Sequence, residues 1–348
     1  MSQPLLQARI LTGIFIIFLT AFPSAAHAGG DYHLSKNIPV SGTGRWDYLT
    51  ADDATRRVYV SHGTEVDVLD ADKGTIVGTI GPLQGVHGIA LAPDLGRGFI
   101  SDGHDDSVIV FDLKTLKILT KVSAGKNPDA IVYEPVTHKV FAFNGGSGTS
   151  TIIDAGKAQA IVTIDLGGRP EFAAVDGKGH VFDDLEDKNA IIKIDANTQT
   201  VTEHWPSAPG EEPASIAIDS KNHRLFVGCH NQMLIILDTD TGKIITHLPI
   251  GEGVDATVFD PKTSLVISTS GDGTMTVIHE DAPDKYHIVK TIETQKRSRT
   301  LALDKKTHRL FLPAAQFTTA PVPTPDNPHP RPSVIPGSFS ILVFDAAD

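Results

Sequence analysis

From about residue 45 onward, hydrophobic positions fall in short runs rich in β-branched and aromatic side chains, separated by Gly, Asp, Asn and Pro. No segment keeps a helical period, so the pattern predicts strands throughout. One group reads Ser215-Ile216-Ala217-Ile218-Asp219, then Arg224-Leu225-Phe226-Val227, then Met233-Leu234-Ile235-Ile236-Leu237-Asp238, with a fourth run from Lys243 to Ile250 after the turn Thr239-Asp240-Thr241-Gly242. The group recurs along the chain. An acid closes each third run, at Asp70, Asp112, Asp154, Asp195, Asp238, Glu280 and Asp345, with spacings of 42, 42, 41, 43, 42 and 65. Four strands in a repeat of this length predict the blade of a β-propeller. The acidic column reads as structural, because an Asp at the turn into the fourth strand accepts hydrogen bonds from backbone amides two or three residues on.

Blades start near Gly44, Gly85, Gly125, Gly167, Pro209, Gly251 and Gln295, so residues 29–348 are expected to form one all-β, seven-bladed propeller of four-stranded antiparallel blades. The last blade has no fourth strand after Asp345. The segment Tyr32 to Val40 can supply it, closing the ring and covering an edge that would otherwise pair with another chain. The long final spacing places an insertion at about residues 316–338, between strands expected at Leu310 to Leu312 and Phe339 to Phe344. Prolines 321, 323, 325, 328, 330, 332 and 336 disfavour regular pairing there and predict a stiff, extended strap across one face of the disc. The strap reads equally as a lid, a docking arm or a passive excursion.

Residues Met1 to Ala28 have the pattern of a secretory leader: Arg9, an apolar run from Ile10 to Phe22, and Ala26-His27-Ala28 as the cleavage signal. The apolar run is too short to span a bilayer and no stop-transfer segment follows, so the expectation is a periplasmic or secreted protein with no membrane span after cleavage. Losing the leader removes one Arg and no acid, which takes the formal charge from -12 to -13. Such an acidic chain argues against nucleic acid as a partner, since phosphate binding needs clustered cations. The one short basic cluster, Lys296-Arg297-Ser298-Arg299, reads as a solvated loop. A single cysteine, Cys229, leaves no intrachain disulfide.

The chain resembles the YVTN-repeat (YncE-like) family of exported bacterial β-propellers. The likeness rests on Tyr59-Val60-Ser61-His62, with weaker copies at Phe99-Ile100-Ser101-Asp102, Phe141-Ala142-Phe143-Asn144 and Phe226-Val227-Gly228-Cys229. It extends to the Pro213 to Asp219 strand opening and the Asp238 to Lys243 turn, and spans the mature chain. The resemblance implies the propeller fold and export. It implies no particular activity, because the family has no shared catalytic motif.

In a propeller the approach to each innermost strand crowds the mouth of the central channel, where a site is expected. Aligning the seven repeats puts Asp47, His87, Asp129, Glu171, Ala214, Asp255 and Arg299 in one column two residues before an apolar one. Glu211 and Glu212 are placed to stand in for the uncharged Ala214. Loops on the same face add His62, His104, Glu186 and His230. The expected ligand-binding set is therefore Asp47, His87, Asp129, Glu171, Asp255, Arg299, His62, His104, Glu186 and His230. Acids crowded in one funnel require positive charge, which a divalent cation, a cationic ligand, or Arg299 with a protonated His87 would supply. Metal-ligand candidates are Asp47, His87, Glu171, Asp255, Cys229 and His230, and a divalent cation is the one cofactor suggested.

Three functions compete. The first is a binding module for a small molecule or metal ion at the funnel. The second is a lactonase-like hydrolase or lyase with His87 or His62 as base. The third is a non-catalytic scaffold for a periplasmic protein. Trp46 and Trp205 read as packing residues between blades.

Overall fold

A computed structural model describes residues 30–42, 45–322, 324 and 330–347. The leader with its cleavage signal lies outside the described residues, as do Gly44 and prolines 323, 325 and 328 of the insertion. The described residues form seven four-stranded antiparallel sheets, each running in sequence order from the inside outward except the last. The innermost strands are Trp46–Asp52, Val86–Ala92, Pro128–Glu134, Pro170–Val175, Pro213–Asp219, Val254–Asp260 and the short Ala302–Asp304. Each contacts the innermost strands of its two neighbours, the last returning to the first, so the seven form a closed ring. This is the predicted seven-bladed β-propeller.

Strand Tyr32–Pro39 pairs antiparallel with Ser340–Ala346, the third strand of the last blade. The N-terminal segment thus completes that blade as anticipated. Hydrophobic cores lie between blades, which is why the strands are apolar on both faces. Val58 and Val60 pack with Phe311 of the last blade, whereas Tyr59 between them packs with Ile100 and Phe111 of the second. Among the described residues, no helix is long and apolar enough to cross a membrane.

The acidic column does the turn-holding work expected of it in five blades. Asp70 accepts from the amides of Asp72 and Lys73 at 3.0 and 2.8 Å, and Asp238 from those of Asp240 and Thr241 at 3.1 and 2.9 Å. Asp112, Asp154 and Asp195 repeat the pattern through the amides of Thr115, Lys157 and Thr198. Glu280 and Asp345 instead bind Tyr286 and Arg309 through their side chains.

The insertion departs from an unpaired strap. Its two legs meet through a Phe317–Val334 bridge, with Thr318 N donating to Ser333 O at 2.9 Å and Ile335 N to Gln316 O at 2.8 Å. No proline occupies a donor position in these pairs, since prolines 321 to 332 fall in sequence between Thr318 and Ser333 and Pro336 follows Ile335, so they do not prevent pairing at the base of the arm.

Candidate functional site

The column Asp47, His87, Asp129, Glu171, Ala214, Asp255 sits where the innermost strands break register. Irregularities fall at Trp46/Leu49, Val86/Ile89, Pro128/Ile131, Pro170/Ala173, Pro213/Ser215 and Val254/Ala256. A bulge of this kind leaves a residue out of the ladder and re-aims its side chain, here at the channel mouth. The signature strand explains how the bulge is held. Ser61 Oγ accepts from Asp47 N at 3.0 Å and donates to Tyr48 O at 3.1 Å, and Ser101 Oγ repeats the role with Gly88 N at 2.7 Å. The motif residue Ser61 therefore positions a rim residue, while Tyr59 and Val60 fill the core on either side.

The rim side chains converge. His87 Nδ1 lies 2.6 Å from Asp47 Oδ2 and 3.6 Å from Asp129 Oδ1, and Arg299 Nε lies 3.0 Å from Asp255 Oδ2. Asp47, Asp129, Glu171, Asp255 and Arg299 face one cavity of about 120 Å³. Gly103 backs the His87 ring so closely that an added Cβ would stand 2.7 Å from its Nε2.

Sequence reasoning missed the floor of this cavity. Tyr48 from the first blade reaches across to the fourth, where its hydroxyl donates to Glu171 O at 3.0 Å and its ring stacks on Phe172 with centroids 5.0 Å apart. The two rings separate the acidic funnel from a larger channel of about 300 Å³ below, lined mainly by Ala, Ile, Leu and Val. The signal was present: the position after the rim column is Tyr48, Gly88, Ala130, Phe172, Ser215, Ala256 and Thr300, small in every blade but two.

Burial in this cavity reshapes the titrations. Desolvation first, then the charges of Asp129 and Glu186, push Glu171 up to about 9. Desolvation and the Asp47 charge raise Asp129 to about 7, against the opposing pull of His87 and the arginines. Asp255 is likewise raised to about 7 by desolvation, although Arg299 works the other way. Burial disfavours a charged His87, but its hydrogen bond to Asp47 and the charge of Asp129 outweigh it, and its pKa rises to about 9. At neutral pH His87 is thus an imidazolium beside Asp47, and the half-ionised Asp255 lies beside the Arg299 guanidinium. Glu171 has no side-chain hydrogen bond or ion pair among the described residues.

The remaining candidates do not join the funnel. His62 is buried, binds Asp67 at 2.9 Å and packs on the Phe339 ring, which removes it from the channel and from contact with a substrate there. His104 is exposed and packs over Gly85. Glu186 and His230 meet each other at 3.7 Å with Glu212 at 3.6 Å from the same imidazole, a separate rim cluster that Arg169 joins by pairing with Glu186. Glu211 and Glu212 accordingly do not replace Ala214 in the cavity. Cys229 is fully buried against Trp205, Val227 and Ile235, and burial pushes its thiol pKa far up. A thiol held neutral in an apolar core is not a metal ligand, so Cys229 leaves the candidate set.

The basic cluster and the two tryptophans largely follow their sequence reading. Lys296, Arg297 and Arg299 are exposed, whereas Ser298 between them is buried and donates to Pro313 O at 2.7 Å, and the Arg297 guanidinium stands 5.0 Å above the Phe317 ring. Trp205 is a packing residue stacked near Phe182. Trp46 packs on Phe339 with centroids 5.0 Å apart but also lines a surface cavity.

No protein-family model and no curated protein matches the chain. Solved structures similar to it include hydrazine synthase of Kuenenia stuttgartiensis, at 14% identity and TM-score 0.68, covering 78% of this chain and 94% of that one. U3-55K is similar at 9% identity and TM-score 0.73, covering 88% of this chain and 97% of that one. The WD40 repeats of RRP9 are similar at 8% identity and TM-score 0.75, covering 90% of this chain and 99% of that one. Likeness at such low identity extends to the propeller fold and no further.

Proposed function

We propose that this chain is an exported propeller of the YVTN-repeat kind, acting in the periplasm or outside the cell, and that its funnel binds a divalent cation. The observation that carries the reading is that one ligand atom each from Asp47, His87 and Asp129 lies within 4.8 Å of the others. Glu171 and Asp255 face the same cavity and can complete an oxygen-rich shell. Carboxylates with one imidazole suit Mn²⁺ or Zn²⁺. A cation there would take over the charge that the imidazolium now supplies and release its proton.

The hydrolase reading is weaker on the same geometry. A general base needs a free lone pair near the working pH, and His87, with its pKa at about 9, is protonated there. His62 lies buried away from the cavity. A scaffold role remains the second reading, favoured by the exposed arm of the last blade, where Val322 stands 83% exposed.

Elemental analysis of the mature protein, purified without chelator and again after chelation, tests the proposal. One metal equivalent per chain, lost on chelation and recovered from Mn²⁺ or Zn²⁺, is the expected result. Metal-free protein that takes up neither ion at millimolar concentration would overturn it.

A further inference from the structure

Beside the acidic funnel, and sharing Arg299 with it, a second cavity of about 370 Å³ opens on the same face of the disc. Most of its wall comes from three distant segments: Arg45 and Trp46 at the start of the first blade, Arg297 and Arg299 before the innermost strand of the last, and Phe317, Arg331 and Val334 from the arm. Four arginines therefore border one space, and among the described residues no acid lines it. Arg299 is shared with Asp255, whereas Arg45, Arg297 and Arg331 make no ion pair among the described residues. On a chain with 42 acidic residues, such an unbalanced cluster is not what surface charge mixing would leave.

The cavity is also shaped for more than a bare ion. Trp46 and Phe317 stand with centroids 5.9 Å apart and planes at 55°, forming an aromatic wall. Arg297 lies over the Phe317 face at 5.0 Å, so the ring and the cation hold each other in place. The arm is fixed where it contributes: the Phe317–Val334 bridge joins its legs, and Ser333 N donates to Thr318 Oγ1 at 3.1 Å. Gly253 and Gly271 line the remaining side, leaving backbone open to a ligand.

We infer that this cavity is a binding site for a small molecule bearing two or more oxyanion charges, phosphate or carboxylate, on a planar apolar body. Each guanidinium can bind an oxyanion through two parallel N–H donors, and the aromatic wall accepts the flat part of the ligand. The site is distinct from the cation funnel. Arg45 and Arg331 touch this cavity and not the other, so the two can fail separately.

The protein has two tryptophans, and only Trp46 lines the cavity. In a Trp205→Phe background, titration with phenyl phosphate or 1,3,5-benzenetricarboxylate is expected to change Trp46 emission saturably, while benzyl alcohol does not. Affinity is expected to fall with added salt, and at least fivefold in Arg297→Ala and in Arg331→Ala. Arg331→Ala should retain divalent-cation binding at the funnel. Should the Trp205→Phe chain fold poorly, calorimetry on the unsubstituted protein and on Arg331→Ala reads the same loss. An emission change shared by the neutral alcohol, absence of saturable binding by either anion, or equal affinity in the arginine variants would each overturn the assignment.

Discussion

A chain lacking residues 30–40 is expected to lose most of its stability and to associate through the uncovered edge of the last blade. That segment pairs along Ser340–Ala346 from Tyr32 to Pro39, and its removal leaves a row of unpaired amides and carbonyls. It also ties two cores together, since Tyr32 packs with the cluster between the sixth and last blades, and Ile38 and Val40 with the one between the last and the first. Burying three such side chains is worth about 5 kcal/mol, on the scale of the whole stability of a domain. Thermal denaturation combined with light scattering measures both effects. A truncated chain that melts within a few degrees of the full one and stays in the same assembly state would show that the ring closes without this strand.

The second large effect concerns pH. Glu171, Asp129, Asp255 and His87 all have folded-state pKa values above their unfolded ones. For each, the contribution to stability is complete below the unfolded pKa and is lost as pH rises through the folded one. Chelated protein is therefore expected to lose melting temperature between about pH 5 and 9, with His87 acting only above about pH 6.5. Asp184, raised to about 8, and the buried Asp183 beside it in sequence pull in the same direction. Glu171→Gln isolates one contribution: at pH 8 it should stabilise the chelated protein by on the order of 2 kcal/mol, allowing for solvent screening. The same substitution should weaken cation binding, so stability and binding move in opposite directions. A melting temperature that is flat with pH, or unchanged by Glu171→Gln at pH 8, would show that these acids carry no such strain.

The fold was legible because a blade is short and repeats in chain order, so the acidic turn residues Asp70 to Asp238 mark its period directly. The rim column Asp47, His87, Asp129, Glu171, Asp255 and Arg299 was legible for the same reason, since equivalent positions in a ring must face one axis. Loop residues carry no such constraint. His62, one residue beyond the Ser61 that holds the bulge, turns into the core, and Cys229 does the same five strand positions after Arg224. The Tyr48–Phe172 floor depends on two large side chains meeting across the ring, and the arginine cavity on segments some 250 residues apart in a chain whose turns alone bring them together. The repeat alignment marks Tyr48 and Phe172 as the two outsized residues of their column, but that they meet, like the assembly of the arginine cavity, is set by ring closure rather than by the period of a strand.

Calorimetric titration of Mn²⁺ into chelated protein and into the Asp47→Asn/Asp129→Asn variant at pH 8 tests the cation funnel most directly. The expected outcome is a single site in the parent protein, with release of at least part of a proton, and at least a tenfold loss of affinity in the variant. The same stoichiometry, affinity and proton release in both proteins would contradict it.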